Sequence, residues 1–341
     1  MLIIDKKDVD FLVTSSLVGE VQDILKRDLP VIKCIVDTVS KTGIDRVYFV
    51  ACGSPLSAAI TATQLFDLYS HIECRAFSGF DFLDSTPLSL DEKSLVIGIS
   101  QSGETEEVNQ SLIKAKTHGA PTVAITNTAD CPMAEITDHV VAYHAEAIWE
   151  AHLLTTYAFA YEIISRVEVD AAEITTIYQQ LSQLPAYLEK MIGVFEEPGR
   201  ALGEKASHWS FIYTIAAGPL LPLAYKEGII SLLEFTWTHG SVLNASEFRH
   251  GPLEVVEEGV PYIFLLGTDE SRHTTQRALD FVKRYSQDVI VFDYADYCEE
   301  LHPMLSPFVM FIPMEWFCYY LAIYKDHNPD NRRYYGGLAN Y

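Results

Sequence analysis

Three apolar segments of this 341-residue chain occur twice, at almost constant spacing. VYFVACG pairs with FIYTIAAG, LVIGIS with PYIFLLG, and VAIT with VIVFD. The paired segments end at 53 and 218, at 100 and 267, and at 126 and 293, so the offsets are 165, 167 and 167 residues. Continuous apolar runs followed by glycine are typical of buried parallel strands, and helical patterns fill the intervals. The sequence therefore predicts a tandem duplication of one α/β domain.

The duplication suggests boundaries for the parts of the chain. We expect N-terminal helices over 1–45, a first domain over 46–170, linking helices over 171–200, and a second domain over 201–341 that includes a C-terminal tail. Helical patterns are expected over 7–43 and over 148–196. No linker rich in proline or glycine separates the halves, so tight packing of the two domains is expected.

The charge balance excludes several classes of partner. Lys and Arg number 24 against 47 Asp and Glu, a formal net charge of -23. Nucleic acids and anionic membranes need a basic face, so neither is an expected partner. A large negative net charge keeps a protein soluble, and it would also suit a cationic substrate.

The chain has no features of a secreted or membrane protein. The N-terminal MLIIDKKDVDFLV lacks the apolar core of a signal peptide, and no uncharged run approaches 18 apolar residues. The six cysteines form no C-x-x-C pair and lie in or near apolar stretches, which is typical of reduced, buried thiols. A cytoplasmic location is therefore expected.

One loop has the layout of a phosphate site. ISQSGETEEV (Ile99–Val108) begins at a predicted strand end and runs into a predicted helix. Ligands of parallel sheets bind at such carboxyl ends. Ser100, Ser102 and Thr105 can donate hydroxyl hydrogen bonds, and Gly103 allows close backbone approach. Together with free N–H groups of the helix start, these neutral donors can hold a phosphate without lysine or arginine.

The acidic residues of this loop fit the same interpretation. Glu104, Glu106 and Glu107 are favourable in a first helical turn and are expected to point to solvent. An ordinary strand-to-helix turn with serine caps would have the same composition, so the spacing alone leaves both interpretations open.

A second group of polar residues lies in the second half. Glu227, Ser231 and Glu234 are spaced four and three, which places them on one face of a regular helix. Glu234 stands among apolar residues, so it is either solvated at a helix edge or desolvated, and desolvation makes a carboxylate a better base. His250 precedes a Gly-Pro turn and can move protons near neutral pH. Glu234 and His250 could equally have structural roles, so the pattern alone leaves both interpretations open.

The motifs ACGSPLSA and ISQSGETEEV resemble the sugar isomerase domain, known as SIS. The resemblance implies a flavodoxin-like, three-layer α/β/α fold for each half of the duplication, with a parallel sheet flanked by helices. It also implies that a phosphosugar is held by Cys52, Gly53, Ser54, Ser100, Gln101, Ser102 and Thr105.

The second half resembles the isomerase half of glucosamine-6-phosphate synthases. Glutamate and histidine separated by fifteen residues, followed by Gly-Pro, match Glu234 and His250. The resemblance implies that Glu234 moves the proton between C1 and C2, and that His250 opens the sugar ring in the partner's site of a homodimer or higher homo-oligomer. Glu227 matches a substrate-site glutamate. IYKDHNPDNRR matches the tail that closes the site and places its lysine at Lys325.

The departures from the synthases are informative. The chain begins MLIIDKK, so a glutamine-hydrolysing domain is not expected, and it has Ser231 where the synthases have a lysine. AEAIWEAHLL replaces the segment before the linking helix. Taken over the whole length, the motifs FVACGSPL, EFTWTHG, EFRHGPLE, LLGTDESRHTT, MEWFCYYL and YKDHNPDNRRYYGG resemble the fructoselysine-6-phosphate deglycases.

This resemblance implies the cleavage of a 6-phosphorylated Amadori product to glucose 6-phosphate and free amine, such as lysine. No metal or redox cofactor is expected, because the iminium serves as the electron sink. An aldose–ketose phosphosugar isomerase, or an amino-sugar-phosphate deaminase, would use the same Glu234 and His250. A non-catalytic phosphosugar sensor fits less well, since no basic helix-turn-helix is visible. The identity of the amine and the roles of Glu150, His152 and His239 stay open.

Overall fold

The computed structural model describes residues 1–9, 13, 15–298, 300–334 and 338–339. The chain divides into two compact units. The first is Ser16–Pro185, and the second combines Met1–Ser15 with Ala186–Tyr341. Each unit has its own parallel sheet.

The first unit is a five-stranded parallel sheet with helices on both faces. Its strands are β1 (Arg46–Ala51), β2 (Glu73–Phe77), β3 (Ser94–Ile99), β4 (Thr122–Thr126) and β5 (His139–Ala142), in the order β2-β1-β3-β4-β5. Its helices are α1 (Leu17–Val39), α2 (Ser54–Tyr69), α3 (Gly79–Asp84), α4 (Glu106–Thr117), α5 (Pro132–Ile136), α6 (Ile148–Val167) and α7 (Ala172–Gln180). This strand order is flavodoxin-like, as predicted.

Burial explains why the central strands could be recognised in the sequence. β3 and β4 are buried at every position, because α3, α4 and α5 cover one face of the sheet while α1, α2 and α6 form a layer on the other. Tyr48, Val96 and Leu112 meet in the core on the α4 side. The edge strands β2 and β5 are partly exposed, and the sequence analysis missed both.

The second unit repeats the first four positions of this topology. Its strands are β6 (Phe211–Ala216), β7 (His239–Asn244), β8 (Tyr262–Leu266) and β9 (Val289–Asp293), all parallel, in the order β7-β6-β8-β9. Its helices are α8 (Leu184–Ala206), α9 (Leu221–Tyr225), α10 (Leu232–Phe235), α11 (Arg272–Val282) and α12 (Ser306–Tyr324). A π-helical turn, Lys226–Ser231, joins α9 to α10. The matching strand order confirms the predicted duplication.

Two predicted helical stretches differ in their bounds. The stretch predicted over 7–43 contains a 3₁₀ turn at Lys6–Asp8, and α1 begins only at Leu17; residues 10–12 and 14 lie outside the described part. The stretch predicted over 148–196 is divided into α6, α7 and α8, and it continues to Ala206. No proline or glycine marks the end of α6 at Val167, whereas Pro185 stands at the second position of α8.

Helix α12 is a strongly apolar helix of the second unit. The segment Pro303–Tyr324 has the length and composition of a membrane span, but it is wholly buried within the protein, which is the pattern of a core helix. The sequence analysis had counted no such segment, because Glu315 interrupts the apolar run.

The prediction that all six cysteines are buried was partly wrong. All six thiols are free, but Cys34 is exposed on α1 and Cys52 is half-buried.

Candidate active site

In the first unit, two loops lie side by side at the carboxyl edge of the sheet. β1 and β3 are neighbours, and Ala51 pairs with Ile99 at their ends. The residues that follow, Cys52–Ser54 and Ser100–Thr105, therefore emerge together. Because the connections from β1 and β3 lead to helices on opposite faces, this edge is the topological switch point, where ligands of such sheets bind.

Hydrogen bonds within the loop shape it as a cradle. The Oγ atoms of Ser100 and Thr105 are 2.8 Å apart, and Ser100 Oγ accepts the Gly103 N–H at 3.2 Å. Ser102 Oγ accepts the Glu104 N–H at 3.2 Å. Ser100 is buried beneath the loop, whereas Gln101 and Ser102 are exposed and Thr105 is half-buried. The hydroxyl of Ser102 and the start of α4 are thus the donors that solvent can reach.

Gly103 is required by both its backbone angle and its surroundings. Its φ is +67°, and a Cβ atom there would lie 2.3 Å from Cys131 Sγ. The Gly103 carbonyl also accepts the Met133 N–H at 3.1 Å. The loop is therefore held closely against the start of α5.

Cys52 and Glu107 connect the two loops. Cys52 Sγ donates to Glu107 Oε1 at 3.3 Å, and Glu107 is half-buried. The expectation that Glu107 points to solvent was wrong, because α4 turns this residue toward β1; Glu104 and Glu106 are exposed as expected. Burial, aided by the nearby Glu107, raises the pKa of Cys52 to about 11, so the thiol stays protonated at neutral pH. Beside it, Gly53 is exposed and Ser54 begins α2.

The equivalent loop of the second unit already contains a carboxylate. Asp269 is the third residue after β8, as Ser102 is the third after β3. Asp269 Oδ1 accepts the Ser271 N–H at 2.9 Å, the same backbone position that Ser102 Oγ serves in the first loop. A negative side chain here opposes binding of a second anion. The loop of the second unit is therefore less suited to an anion than the loop of the first unit.

In the second unit, the candidate base lies at the amino end of the sheet. Helix α10 holds Glu234 and leads through Thr238, whose N–H donates to Leu232 O, into β7. The Glu234 side chain is 34% exposed, so the carboxylate lies at a helix edge. Arg332 Nε donates to Glu234 Oε1 at 2.9 Å, and its guanidinium lies 4.6 Å from the ring centre of Phe235.

The predicted shared face of Glu227, Ser231 and Glu234 was wrong, because the π turn changes the register. A π turn closes i to i+5 hydrogen bonds and holds more residues per turn than an α-helix. Glu227 and Ser231 are fully buried, while Glu234 reaches the surface. Gly240 makes this packing possible, since a Cβ on it would lie 2.1 Å from the Gly228 carbonyl oxygen.

Beneath the π turn lies a buried group of charges that the sequence analysis missed. Lys226 Nζ is 2.9 Å from Glu227 Oε1 and also donates to Glu315 Oε1. Burial, together with the charge of Glu227, raises the pKa of Glu315 to about 8 against the opposing effect of Lys226. The two carboxylates keep the pKa of Lys226 above its usual value despite burial. The group therefore holds one lysine charge and a carboxyl proton at neutral pH.

The C-terminal tail packs against the same end of the sheet. Lys325 Nζ donates to the carbonyl of Trp209, just before β6, and burial lowers the pKa of this lysine. His327 stacks on Trp237 with ring centres 4.0 Å apart, and Arg333 lies 4.0 Å from the Trp237 ring centre. The predicted closing tail extends to 341, of which 335–337 and 340–341 lie outside the described residues.

His250 and Glu234 flank opposite ends of β7. Glu234 precedes the strand, whereas His250 follows it in an exposed turn that Phe248 anchors in the core beside α11. The six residues of β7 extend about 17 Å at ~3.3 Å per residue. A single copy of this unit thus places the two predicted proton-transfer residues far apart along the strand.

The three residues whose roles the sequence left open lie in two different environments. Glu150 and His152 are fully buried in α6, and burial lowers the pKa of His152 to about 3. His152 packs edge-on against Tyr143, with ring centres 5.3 Å apart. His239 is exposed at the first position of β7. Across the described ranges, no group of three or more His, Cys, Asp and Glu side chains is placed to hold a metal ion.

Comparison with known proteins identifies similar chains. The SIS domain model matches residues 42–165. The chain is 55% identical to the fructoselysine 6-phosphate deglycase of Escherichia coli (strain K12), covering all 341 residues of each. It is 33% identical to the fructosamine deglycase FrlB of Bacillus subtilis (strain 168) over 311 residues, covering 87% of this chain and 93% of the relative.

Solved structures show the same fold. A Bacillus subtilis protein described as a phosphosugar isomerase aligns with a TM-score of 0.86 and 29% identity, covering 96% of this chain and all of that one. The C-terminal domain of glucosamine-fructose-6-phosphate aminotransferase from Francisella tularensis aligns with a TM-score of 0.80 and 19% identity, again covering 96% of this chain and all of that one.

Proposed function

The chain belongs to the fructoselysine 6-phosphate deglycase family, and from this membership we propose that it cleaves 6-phosphorylated ketosamines to glucose 6-phosphate and free amine. The observation that carries the proposal is the full-length match at 55% identity to an enzyme of that activity. The hydroxyl-lined loop at the switch point of the first unit supports it, because the substrate class carries a phosphoryl group.

The phosphoryl group binds at the loop after β3. Ser102 and Thr105 donate hydroxyl hydrogen bonds, and the free N–H groups at the start of α4 add the positive end of a helix dipole. Ser100 positions Thr105 through the 2.8 Å contact of their hydroxyls. Gln101 and the neighbouring Cys52, Gly53 and Ser54 line the sugar, and the protonated Cys52 acts as a neutral contact.

Glu234 transfers the proton that the reaction requires. In the open-chain ketosamine, Glu234 removes a proton from C1. The electron pair forms a C1=C2 double bond while the C2 carbonyl oxygen takes up a proton, which gives the enaminol. Protonation at C2 then gives the C1 imine, to which water adds; collapse of this adduct breaks the C1–N bond and yields the aldose and the amine. Its position at a helix edge, in contact with solvent, supports a role in proton exchange.

His250 opens the sugar ring, and it does so in the site of a partner subunit. Its exposure, and its location beyond the far end of β7 from Glu234, support action in a second copy of the chain. The protein is accordingly proposed to be a homodimer or larger homo-oligomer in the cytoplasm. Glu227 and Lys325 support the catalytic region from beneath the π turn and from the tail.

The decisive experiment is a panel of 6-phosphorylated ketosamines formed with lysine, other amino acids and simple amines. The purified protein is incubated with each compound, and both glucose 6-phosphate and free amine are quantified. Equal amounts of the two products are expected. Isomerisation of the sugar phosphate without amine release, or no turnover of any member of the panel, would overturn the proposal.

A further inference from the structure

We propose that Arg332 recognises the carboxylate of the amino-acid part of the substrate by leaving Glu234, and so couples this recognition to freeing the base. The inference rests on the proposed function and adds a residue that determines specificity. Three features lead to it: the partner that Arg332 holds, the aromatic surface on which it lies, and the charge of the chain as a whole.

The first feature is the partner of Arg332. Its Nε donates to Oε1 of Glu234, the carboxylate proposed to take the C1 proton. A general base must direct an oxygen lone pair at the proton that it removes, and the guanidinium occupies one of the two oxygens. The Arg332 and Glu234 side chains are 21% and 34% exposed. The pair is partly exposed, so an incoming carboxylate can reach the guanidinium and take the place of Glu234 on it.

The second feature is the setting of the guanidinium. Arg332 lies over Phe235 with its Cζ atom 4.6 Å from the ring centre, and its Nη1 donates to the carbonyl of Pro329. Stacking fixes the plane of the guanidinium while leaving its edge available to a planar anion. Arg333 lies instead over Trp237 at 4.0 Å. The tail therefore presents two arginines, of which Arg332 is the one that contacts the base.

The third feature is charge. The chain has 24 basic and 47 acidic residues, so a local cation such as Arg332 helps to attract an anionic ligand group. A lysine bonded through its ε-nitrogen keeps its α-carboxylate, and its nitrogen is attached to C1, the atom on which Glu234 acts. The carboxylate lies at the far end of the lysine side chain from this nitrogen, so Arg332 would meet it after turning away from Glu234. Planar carboxylate is the group that guanidinium matches best.

The test compares two substrates that differ only in this charge: the ketosamine 6-phosphates of lysine and of lysinamide. The wild-type protein is expected to prefer the lysine compound by about 10–100-fold in kcat/KM, as a charge-assisted contact would give. Arg332→Gln should remove most of this preference. It should lower kcat/KM for the lysine compound and leave that for lysinamide at or above the wild-type value, because Glu234 is then free.

Two matched variants complete the design. Arg333→Gln removes the neighbouring guanidinium, which stacks on Trp237, and should keep the preference; Arg332→Lys keeps the charge and should retain part of it. Equal losses on both substrates in Arg332→Gln would indicate a structural role and overturn the inference. So would an unchanged preference in Arg332→Gln, or its loss in Arg333→Gln. Wild-type protein that turns over neither substrate would overturn the proposed function as well, which separates the two failures.

Discussion

Arg332 and Glu234 form a hydrogen bond of 2.9 Å although 98 residues separate them in the chain. The contact brings the C-terminal tail onto the short helix α10, next to the π turn. The proposed base is therefore bordered by a segment that lies outside the sheet.

Replacing the proposed base should abolish turnover while leaving the substrate bound. Glu234→Gln keeps the size of the side chain but cannot accept the C1 proton, and loss of a general base costs about 10²–10⁴-fold in kcat. Steady-state kinetics on a ketosamine 6-phosphate would measure this, with calorimetry for binding. Glu204→Gln, an exposed glutamate on α8, is the matched control and should behave as wild type. Near-normal kcat in Glu234→Gln would contradict the assigned role.

Mixing two inactive variants should restore activity if His250 acts in the partner's site. In a heterodimer of Glu234→Gln and His250→Ala, one of the two sites combines intact Glu234 with intact His250. Random reassembly of equal amounts makes about half the dimers mixed, so about a quarter of wild-type activity is expected for a symmetric dimer. Subunits are exchanged under mild denaturant and assayed against unmixed controls. Absence of any recovery after verified exchange would show that the histidine acts within its own chain.

Removing the exposed hydroxyl of the phosphate loop should weaken substrate binding. Ser102→Ala deletes a donor to a charged group, worth about 1.5–3 kcal/mol, which is roughly a 10–100-fold higher dissociation constant. Binding is measured in the Glu234→Gln background so that no turnover interferes. Ser182→Ala, an exposed serine between α7 and α8, provides the control. Unchanged affinity in Ser102→Ala would exclude this hydroxyl from the phosphate site.

Buried Glu315 should make stability depend on pH. Its folded-state pKa is raised to about 8 from 4.5, so the folded protein keeps a proton that the unfolded chain releases. The free energy of unfolding contributed by this group is complete below pH 4.5 and is lost as pH rises through about 8. Glu315→Gln cannot lose a proton and should show a smaller fall in Tm from about pH 5 to about pH 8.5.

The control for this pH experiment is Glu189→Gln, which changes an exposed glutamate on α8. Its Tm should follow the wild-type pH dependence, because the substitution leaves Glu315 in place. If Glu315→Gln also followed the wild-type curve over this range, the buried carboxyl would not hold the proton assigned to it.

The sequence revealed the interior of both sheets but not all of their edges. β3, β4 and β8 are buried on both faces, and for this reason they appear as continuous apolar runs. β2 and β7 lie at sheet edges, where ECRAF and HGSVLN mix polar and apolar residues without a pattern that distinguishes a strand from a loop. Edge strands are specified largely by the neighbour that they pair with.

In the candidate site, too, local features could be predicted from the sequence and long-range contacts could not. The loop Ser100–Thr105 is local, so its spacing predicted a strand end, a close turn and a helix start before the structure was known. The contacts of Arg332 with Glu234 and of Lys226 with Glu315 join residues 98 and 89 positions apart and depend on how α12 and the tail pack. A π turn adds a residue to the helical turn without changing composition, so nothing in the residue pattern indicates that Glu227 turns inward. The one sign of a buried charge in this region is that Glu315 is the single charged residue of the apolar run EWFCYYLAIY.

The carboxylate of Asp269 has a consequence for stoichiometry. The second copy of the loop supplies its own negative group, covalently attached, at the place where the first copy is open to an external one. Although the fold is doubled, saturation with a phosphosugar should stop at one equivalent per chain.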